Sequence, residues 1–216
     1  MRTQFTLELV SLAGDLTEMS RVARDATERV TAAIAGADLT ATYEVFALDE
    51  RLQLMFAACE SRTMALLALQ APVARDLRHV VTAIQVAGEL SRIGRRTETA
   101  GQYVYRAHPE PVAPAPVIAE LVAMGTLATD CVGRATTAVA TGRIDTDDDG
   151  DAAAMDARCA RLRTVLADSA LGPAAAIDMA LLGSQFQRCV DHAARITRLI
   201  RFLDTGIPTD SGALLD

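Results

Sequence analysis

A charged stripe lies on the helix predicted after Pro72, where Glu89, Arg92 and Arg96 are spaced three and four residues apart and share one face. Side chains at this spacing can form ion pairs along a helix, so this is a place where charge chemistry could occur. A charged stripe beside an apolar one is, however, more often a solvated helix face. The spacing alone leaves both interpretations open.

The other reactive residues give little indication of catalytic activity. The three histidines (His79, His108 and His192) are scattered, and the four cysteines form no Cys-x-x-Cys pair. The sequence contains no glycine-rich phosphate loop, no dinucleotide-binding loop and no nucleophile elbow. We therefore predict that the protein is not an enzyme and that its cysteines are reduced core residues.

The composition restricts the class of partner. Of the 216 residues, 50% are hydrophobic but only 4% are aromatic, so the core must be aliphatic, which favours packed helices. The formal net charge of −7 argues against binding to nucleic acid or to an acidic membrane surface, because both need clustered basic residues. No signal peptide is seen, and no window holds anything near 18 apolar residues in a row, so no membrane span is expected. The predicted location is the cytoplasm, without direct membrane insertion.

Six segments with helical periodicity position the polar residues, and the clearest of them is a heptad seam in the first. The predicted helices cover residues 5–37, 39–70, 72–107, 117–141, 152–169 and 174–203. Long helices joined by short turns are typical of antiparallel three-helix bundles. The sequence predicts an all-α protein.

The order of these segments predicts two domains. The predicted parts are a first three-helix bundle over 1–108, a proline-rich linker over 109–116, a second three-helix bundle over 117–204 and a frayed C-terminal tail over 205–216. The second half repeats the first weakly and with a shorter hairpin, as expected for a duplicated bundle. An acidic segment at 145–151 superficially matches a calcium loop. We interpret it as a helix start, because Asp156 stands where that loop needs Glu.

Two motifs in the third helix carry a family resemblance. The sequences P-V-A-R-D-L-R at 72–78 and E-L-S-R-I-G at 89–94 resemble the signature of the PhoU family, the accessory regulators of the phosphate-specific transport system. That signature is roughly P-x-A-x-D-L-R, followed by an acidic residue and L-E-R-I-G-D. Ser91 stands where the family usually has Glu, and Arg95 where it usually has Asp. The resemblance implies two tandem antiparallel three-helix bundles over most of the chain, and the actinobacterial branch is the nearest.

The resemblance also implies where metal could bind. PhoU-like proteins carry metal clusters on acidic pairs four residues apart in the third and sixth helices, where two carboxylates can reach one cation. The first pair would be Ser91 and Arg95, so we expect the first cluster to be lost. The second cluster would draw on the following residues, which are the candidate ligands for a divalent or ferric metal: Asp156, Gln187, Asp191 and His192. The competing interpretation pairs Asp191 with a neighbouring arginine, Arg188 or Arg195; otherwise no cofactor is expected.

Other positions of the motif are candidates for protein contact. Four lie on the third helix and one on the sixth, and Asp49 of the second helix is expected to join the charged network of Glu89, Arg92 and Arg96. The candidates are Asp49, Asp76, Arg78, Glu89, Arg92 and Arg188.

The function implied by the resemblance is negative regulation of phosphate uptake and of phosphate-starvation signalling. The partners implied are the phosphate ABC transporter ATPase and a phosphate-sensor histidine kinase, with a homodimer as the expected assembly. A metal-binding or metal-storage bundle is the alternative, although the Glu-x-x-His pairs of di-iron bundles are absent from the sequence. A transcription repressor is disfavoured by the acidic charge and the long first helix.

Overall fold

The computed structural model describes residues 2–144 and 150–206, and its regular secondary structure in these ranges is entirely helical. The helices are α1 (Arg2–Gly36), α2 (Leu39–Gln70), α3 (Ala74–Ala107), α4 (Ala115–Thr141), α5 (Asp151–Ala167) and α6 (Pro173–Thr205). The predicted all-α fold is confirmed. Residues 145–149 of the acidic segment and 207–216 of the predicted tail lie outside the described residues.

Local chemistry explains several of the helix ends. The Asp38 side chain caps α2 by accepting hydrogen bonds from the backbone N–H groups of Thr40 (2.8 Å) and Ala41 (3.1 Å). Gly142 ends α4 in the left-handed conformation, which glycine adopts without steric cost, and its N–H donates to the Ala138 carbonyl.

One predicted boundary differs from the structure. Pro72 was expected to be the first residue of the third helix, but α3 begins at Ala74. The reason lies in the preceding turn, where Ala71 adopts the left-handed conformation that caps α2 and Val73 is extended. Residues 71–73 are therefore needed to make the turn, and the helix starts after them.

The six helices form two antiparallel three-helix bundles that lie side by side. Helix α2 packs only on α1 and α3, and α5 only on α4 and α6, within the described residues. The two bundles meet where α1 contacts α4 and α3 contacts α6. One hydrophobic core runs through both bundles and includes Leu12, Met19, Leu90, Met124, Leu182 and Ile196. The outer helix of the second bundle is short: α5 has 17 residues, against 32 in α2.

Both contacts between the bundles are antiparallel. On one side, the Thr136 hydroxyl of α4 donates to the Ser20 carbonyl of α1 at 3.1 Å. On the other side, the start of α3 lies beside the end of α6, because the Arg78 guanidinium stacks over the Phe202 ring at 5.4 Å. This arrangement brings the middle of α3 against the middle of α6.

Two helices of the described part, α2 and α4, are long and apolar enough to span a membrane by length and composition alone. Helix α4 packs on α1, α5 and α6, as the core helix of a globular protein does. In α2, only 22% of the apolar window is buried, so this helix presents a large apolar surface on the outside of the bundle.

Candidate functional site

Several of the residues singled out by the sequence lie in two clusters, one between α2 and α3 and the other between α3 and α6. The α2–α3 cluster comprises Asp49, Gln53, Ser91 and Arg95. The α3–α6 cluster comprises Glu89, Arg92, His192 and Arg195. Each cluster surrounds one buried carboxylate, which is the feature that decides its chemistry.

In the α2–α3 cluster, the buried carboxylate is Asp49, which is 4% exposed. Arg95 Nη1 lies 2.9 Å from Asp49 Oδ2, and Gln53 Nε2 donates to Asp49 Oδ1 at 2.7 Å. Gln53 is held in turn by α3, since the Ser91 hydroxyl donates to its Oε1 at 2.7 Å. Both oxygens of Asp49 therefore have a donor.

Gly94 allows the two helices to approach closely at this cluster. A Cβ atom at residue 94 would lie 2.7 Å from Leu52 Cδ1 and 2.9 Å from Asp49 Oδ1. Such distances are too short for non-bonded atoms, so a larger residue would force the Leu52 and Asp49 side chains to shift. The glycine of the motif thus has a packing role beside the carboxylate.

The pKa of Asp49 is raised above its ordinary value. Burial, which disfavours the charged form, is the main cause, and the Gln53 hydrogen bond and the positive charge of Arg95 oppose it only in part. Arg95, at the position where the family usually has Asp, places a guanidinium beside Asp49 that balances its charge. These residues do not fit a metal ion, because Arg95 would repel it and Ser91 is engaged with Gln53.

The α3–α6 cluster joins the two bundles through Glu89, which is 3% exposed. Arg92 Nη1 lies 2.7 Å from Glu89 Oε1, and His192 Nδ1 of α6 lies 2.7 Å from Glu89 Oε2. Arg195 Nε, also of α6, is 3.4 Å from Oε1. Because the carboxylate can only accept, the hydrogen of His192 is on Nδ1.

The pKa of Glu89 is lowered, in contrast to that of Asp49. Burial alone would raise it, but the hydrogen bond and charge of His192, and then the charges of Arg195 and Arg92, outweigh burial. Glu89 is therefore a stable anion shared between the bundles.

The four candidate metal ligands of the second bundle make different contacts. The side chain of His192 is turned to Glu89, and the Gln187 amide Nε2 faces Asp156 Oδ1 at 3.3 Å. Asp191 is exposed. Within 2–144 and 150–206, no group of three or more His, Cys, Asp or Glu residues is arranged to hold a metal ion.

The remaining candidates are dispersed. Asp76 and Arg188 are exposed, and Arg78 packs against Phe202 near the end of α6. Asp191 forms no ion pair with Arg188 or Arg195. The expectation that Asp49 joins Glu89, Arg92 and Arg96 was wrong, because its cation is Arg95.

Sequence reasoning missed two residues of these clusters. Gln53 stands four residues after Asp49, a spacing that places both on one helix face, so the sequence did contain a signal for it. Arg195 was considered only as a neighbour of Asp191. Its contact with Glu89 depends on how the bundles pack, which no spacing within one helix reveals.

The sequence of this chain is similar to those of known proteins. Residues 16–104 match the family model of the PhoU domain. The PhoU homolog 2 of Mycobacterium tuberculosis, named as a phosphate-specific transport system accessory protein, is 35% identical over 214 residues, which cover 95% of this chain and 99% of that protein.

Solved structures share the fold. The crystal structure of PhoU from Pseudomonas aeruginosa has a TM-score of 0.82 at 20% identity and covers 94% of this chain and 100% of its own. The regulatory protein PhoU of the Streptococcus pneumoniae phosphate transport system has a TM-score of 0.79 at 19% identity, covering 95% of this chain and 99% of its own. Together with the near full-length match to the mycobacterial protein, these findings show that the chain belongs to the PhoU family.

Proposed function

We propose that this protein is an accessory regulator of phosphate transport that represses phosphate uptake and phosphate-starvation signalling. The observation that carries the proposal is the 35% identity to a phosphate-specific transport system accessory protein over nearly the whole of both chains. The name of this relative supports a role in phosphate transport. That the role is repression is our proposal.

The mechanism we propose is protein contact through helix surfaces. The protein links the phosphate ABC transporter ATPase to a phosphate-sensor histidine kinase and favours the kinase's phosphatase activity when phosphate is plentiful. The geometry agrees with a binding protein, because the charged residues of both clusters are used in holding α2, α3 and α6 together. No reaction is assigned to them, and the protein acts in the cytoplasm as a homodimer.

A metal-binding or metal-storage role is the other function considered. It would require carboxylate and histidine ligands facing one point, and the part of the chain that the structure describes has no such group of three. Arg95 supplies the positive charge at Asp49, and His192 is engaged by Glu89. Nothing in the geometry therefore favours this role over regulation.

The test is a calorimetric titration of the full chain against the cytoplasmic part of the host's phosphate-sensor kinase, and separately against the transporter ATPase, each with and without divalent metal. We expect saturable binding to both partners that metal does not change. Absence of binding to both would contradict the coupling function.

Two outcomes would assign the function differently. Binding that needs metal and is lost in Asp191→Ala would restore a metal site in the second bundle. Binding to the ATPase alone would remove the kinase from the proposal.

A further inference from the structure

The outer side of the α2–α3 hairpin carries an exposed apolar surface, which we call the hairpin face and define by Met64, Leu67, Val73, Leu77, Val81 and Ile84. Val73 is 74% exposed, Met64 63%, Leu77 40% and Val81 39%, while Leu67 and Ile84 are half-buried. The four exposed side chains are not part of the hydrophobic core, so their apolar character calls for another explanation.

The two helices bring these residues side by side. Gly101 lies against Phe46, Gly94 against Leu52 and Gly88 against Phe56, so α3 descends along α2 in a steady antiparallel register. Continued towards the turn, this register places Val81 across from Met64 and Leu77 across from Leu67. The hairpin face is therefore one surface rather than two separate stripes.

The spacing on α3 is that of a helix-packing seam. Leu77, Val81 and Ile84 follow at steps of four and three, and Gly88, Arg92 and Arg95 continue the same pattern, while Val73 lies in the turn just before α3. Helix α1 packs on both α2 and α3, and α6 packs on α3. The exposure of the hairpin face shows that neither of them covers this side of the α2–α3 pair, so it offers a position for a further helix.

The charge at the far end of the seam is positive. Arg92 and Arg95 have side chains 57% and 61% exposed, whereas their partners Glu89 and Asp49 are each 5% exposed. A molecule lying in the groove would thus meet the guanidinium groups and not the carboxylates. Between Arg51 and Asp76, Glu60 is the one acidic residue of this hairpin.

We propose that the hairpin face binds an amphipathic helix of a partner protein, with apolar residues along the groove and acidic residues at the end that meets Arg92 and Arg95. The inference rests on the proposed function, in that it names the surface and the chemistry by which a regulator of this kind recognises its partner. From Leu77 to Arg95, α3 extends about 27 Å at 1.5 Å per residue, so a partner helix of about 18 to 20 residues fills the groove.

The direct test uses a designed probe: a fluorescein-labelled peptide of about 20 residues with leucine at the seam positions and glutamate at one end, measured by fluorescence anisotropy against the full chain. We expect saturable binding, at least tenfold weaker for Leu77→Glu and for Val81→Glu, and for a peptide with lysine in place of glutamate. The matched control is Leu181→Glu on α6, whose side chain is 48% exposed at the opposite end of the molecule. It should change the affinity less than twofold.

The same variants are then titrated against the sensor kinase and the transporter ATPase. Loss of peptide and partner binding together in Leu77→Glu supports the inference. Equal partner binding by wild type and Leu77→Glu would overturn the inference while leaving the proposed function intact. Peptide binding without any partner binding to wild type would contradict the proposed function and support the surface. Circular dichroism melting of each variant is the control for folding. Because the substitutions lie at exposed positions, we expect the fold to remain intact.

Two other occupants are tested with the same proteins. If sedimentation shows that wild type is a dimer and Leu77→Glu a monomer, the face binds a second copy of this chain and the inference is wrong. If wild type but not Leu77→Glu sediments with vesicles of phosphatidylcholine and phosphatidylglycerol, the hairpin face binds a lipid surface. That result would also overturn the inference.

Discussion

The two carboxylates Asp49 and Glu89 are buried to nearly the same extent but have opposite pKa shifts. The difference comes from their donors. Asp49 has one amide and one guanidinium, whereas Glu89 has an imidazole and two guanidinium groups. Single residues thus decide whether a buried acid costs stability at neutral pH or contributes to it.

Arg95→Ala should destabilise the protein, because Asp49 would remain buried with Gln53 as its one donor. We expect a loss of about 1–3 kcal/mol in the free energy of unfolding, as for other hydrogen bonds to charged groups. Urea denaturation at pH 7, followed by circular dichroism, measures it. The control is Arg51→Ala, since Arg51 is exposed to a similar degree but its partner Glu18 is also exposed. That change should cost less than about 0.5 kcal/mol, and equal losses in the two variants would contradict the prediction.

The acid dependence of stability should separate the two carboxylates. The pKa of Glu89 lies below its ordinary value of 4.5 in the folded state, so unfolding takes up a proton and Glu89 stabilises the fold above pH 4.5. This contribution is lost as the pH falls through the lowered pKa. The stability difference between wild type and Glu89→Gln should therefore shrink between about pH 5 and pH 3.

Asp49 should have the reverse dependence. Its pKa lies above the ordinary 3.8, so the folded state binds the proton more tightly, and stability falls as the pH rises from 3.8 through the raised pKa. As the pH falls, the stability of wild type relative to Asp49→Asn should rise, whereas its stability relative to Glu89→Gln should fall. Urea unfolding at half-unit steps from pH 3 to pH 6 measures both, and parallel curves for the two variants would refute the assignment.

At the scale of the secondary-structure elements, the distance between α2 and α3 depends on Gly94. Gly94→Ala should cost about 1–3 kcal/mol, because its methyl group would overlap the Leu52 and Asp49 side chains and displace them from their packed positions. Gly14→Ala in α1 is the matched control, since nothing lies within 4 Å of its added Cβ. It should raise the stability by up to about 1 kcal/mol through helix propensity. Thermal melts of both variants test this. An unchanged melting temperature in Gly94→Ala would mean that the neighbouring side chains can move aside at no cost, which would contradict the prediction.

The helices could be predicted from the sequence because their seams are long and periodic, and the buried residues of α1, such as Leu12, Leu16 and Met19, follow the predicted heptads. The loss of the first metal pair could also be predicted, since it needed only Ser91 and Arg95 in the motif. The pairing of Glu89 with His192 could not, because 103 residues separate them and only the packing of α3 on α6 brings them together. The start of α3 was missed because Ala71 adopts a left-handed conformation that its residue type does not favour.

At the scale of the whole molecule, the two bundles share one core. Residues of α1, α3, α4 and α6 form a continuous cluster, and Glu89 and Arg78 reach from the first bundle to the second. The bundles should therefore unfold together. We expect one calorimetric transition whose enthalpy equals the van't Hoff enthalpy. Two resolved transitions would show that each bundle is stable alone.

The internal cation of the α2–α3 cluster has a consequence for how this protein responds to its surroundings. An ion bound from solution comes and goes with its supply, and iron also changes its oxidation state. Arg95 is synthesised with the chain and can be neither removed by a chelator nor oxidised at the potentials of a cell. Iron limitation or oxidative stress would therefore leave this contact between α2 and α3 unchanged.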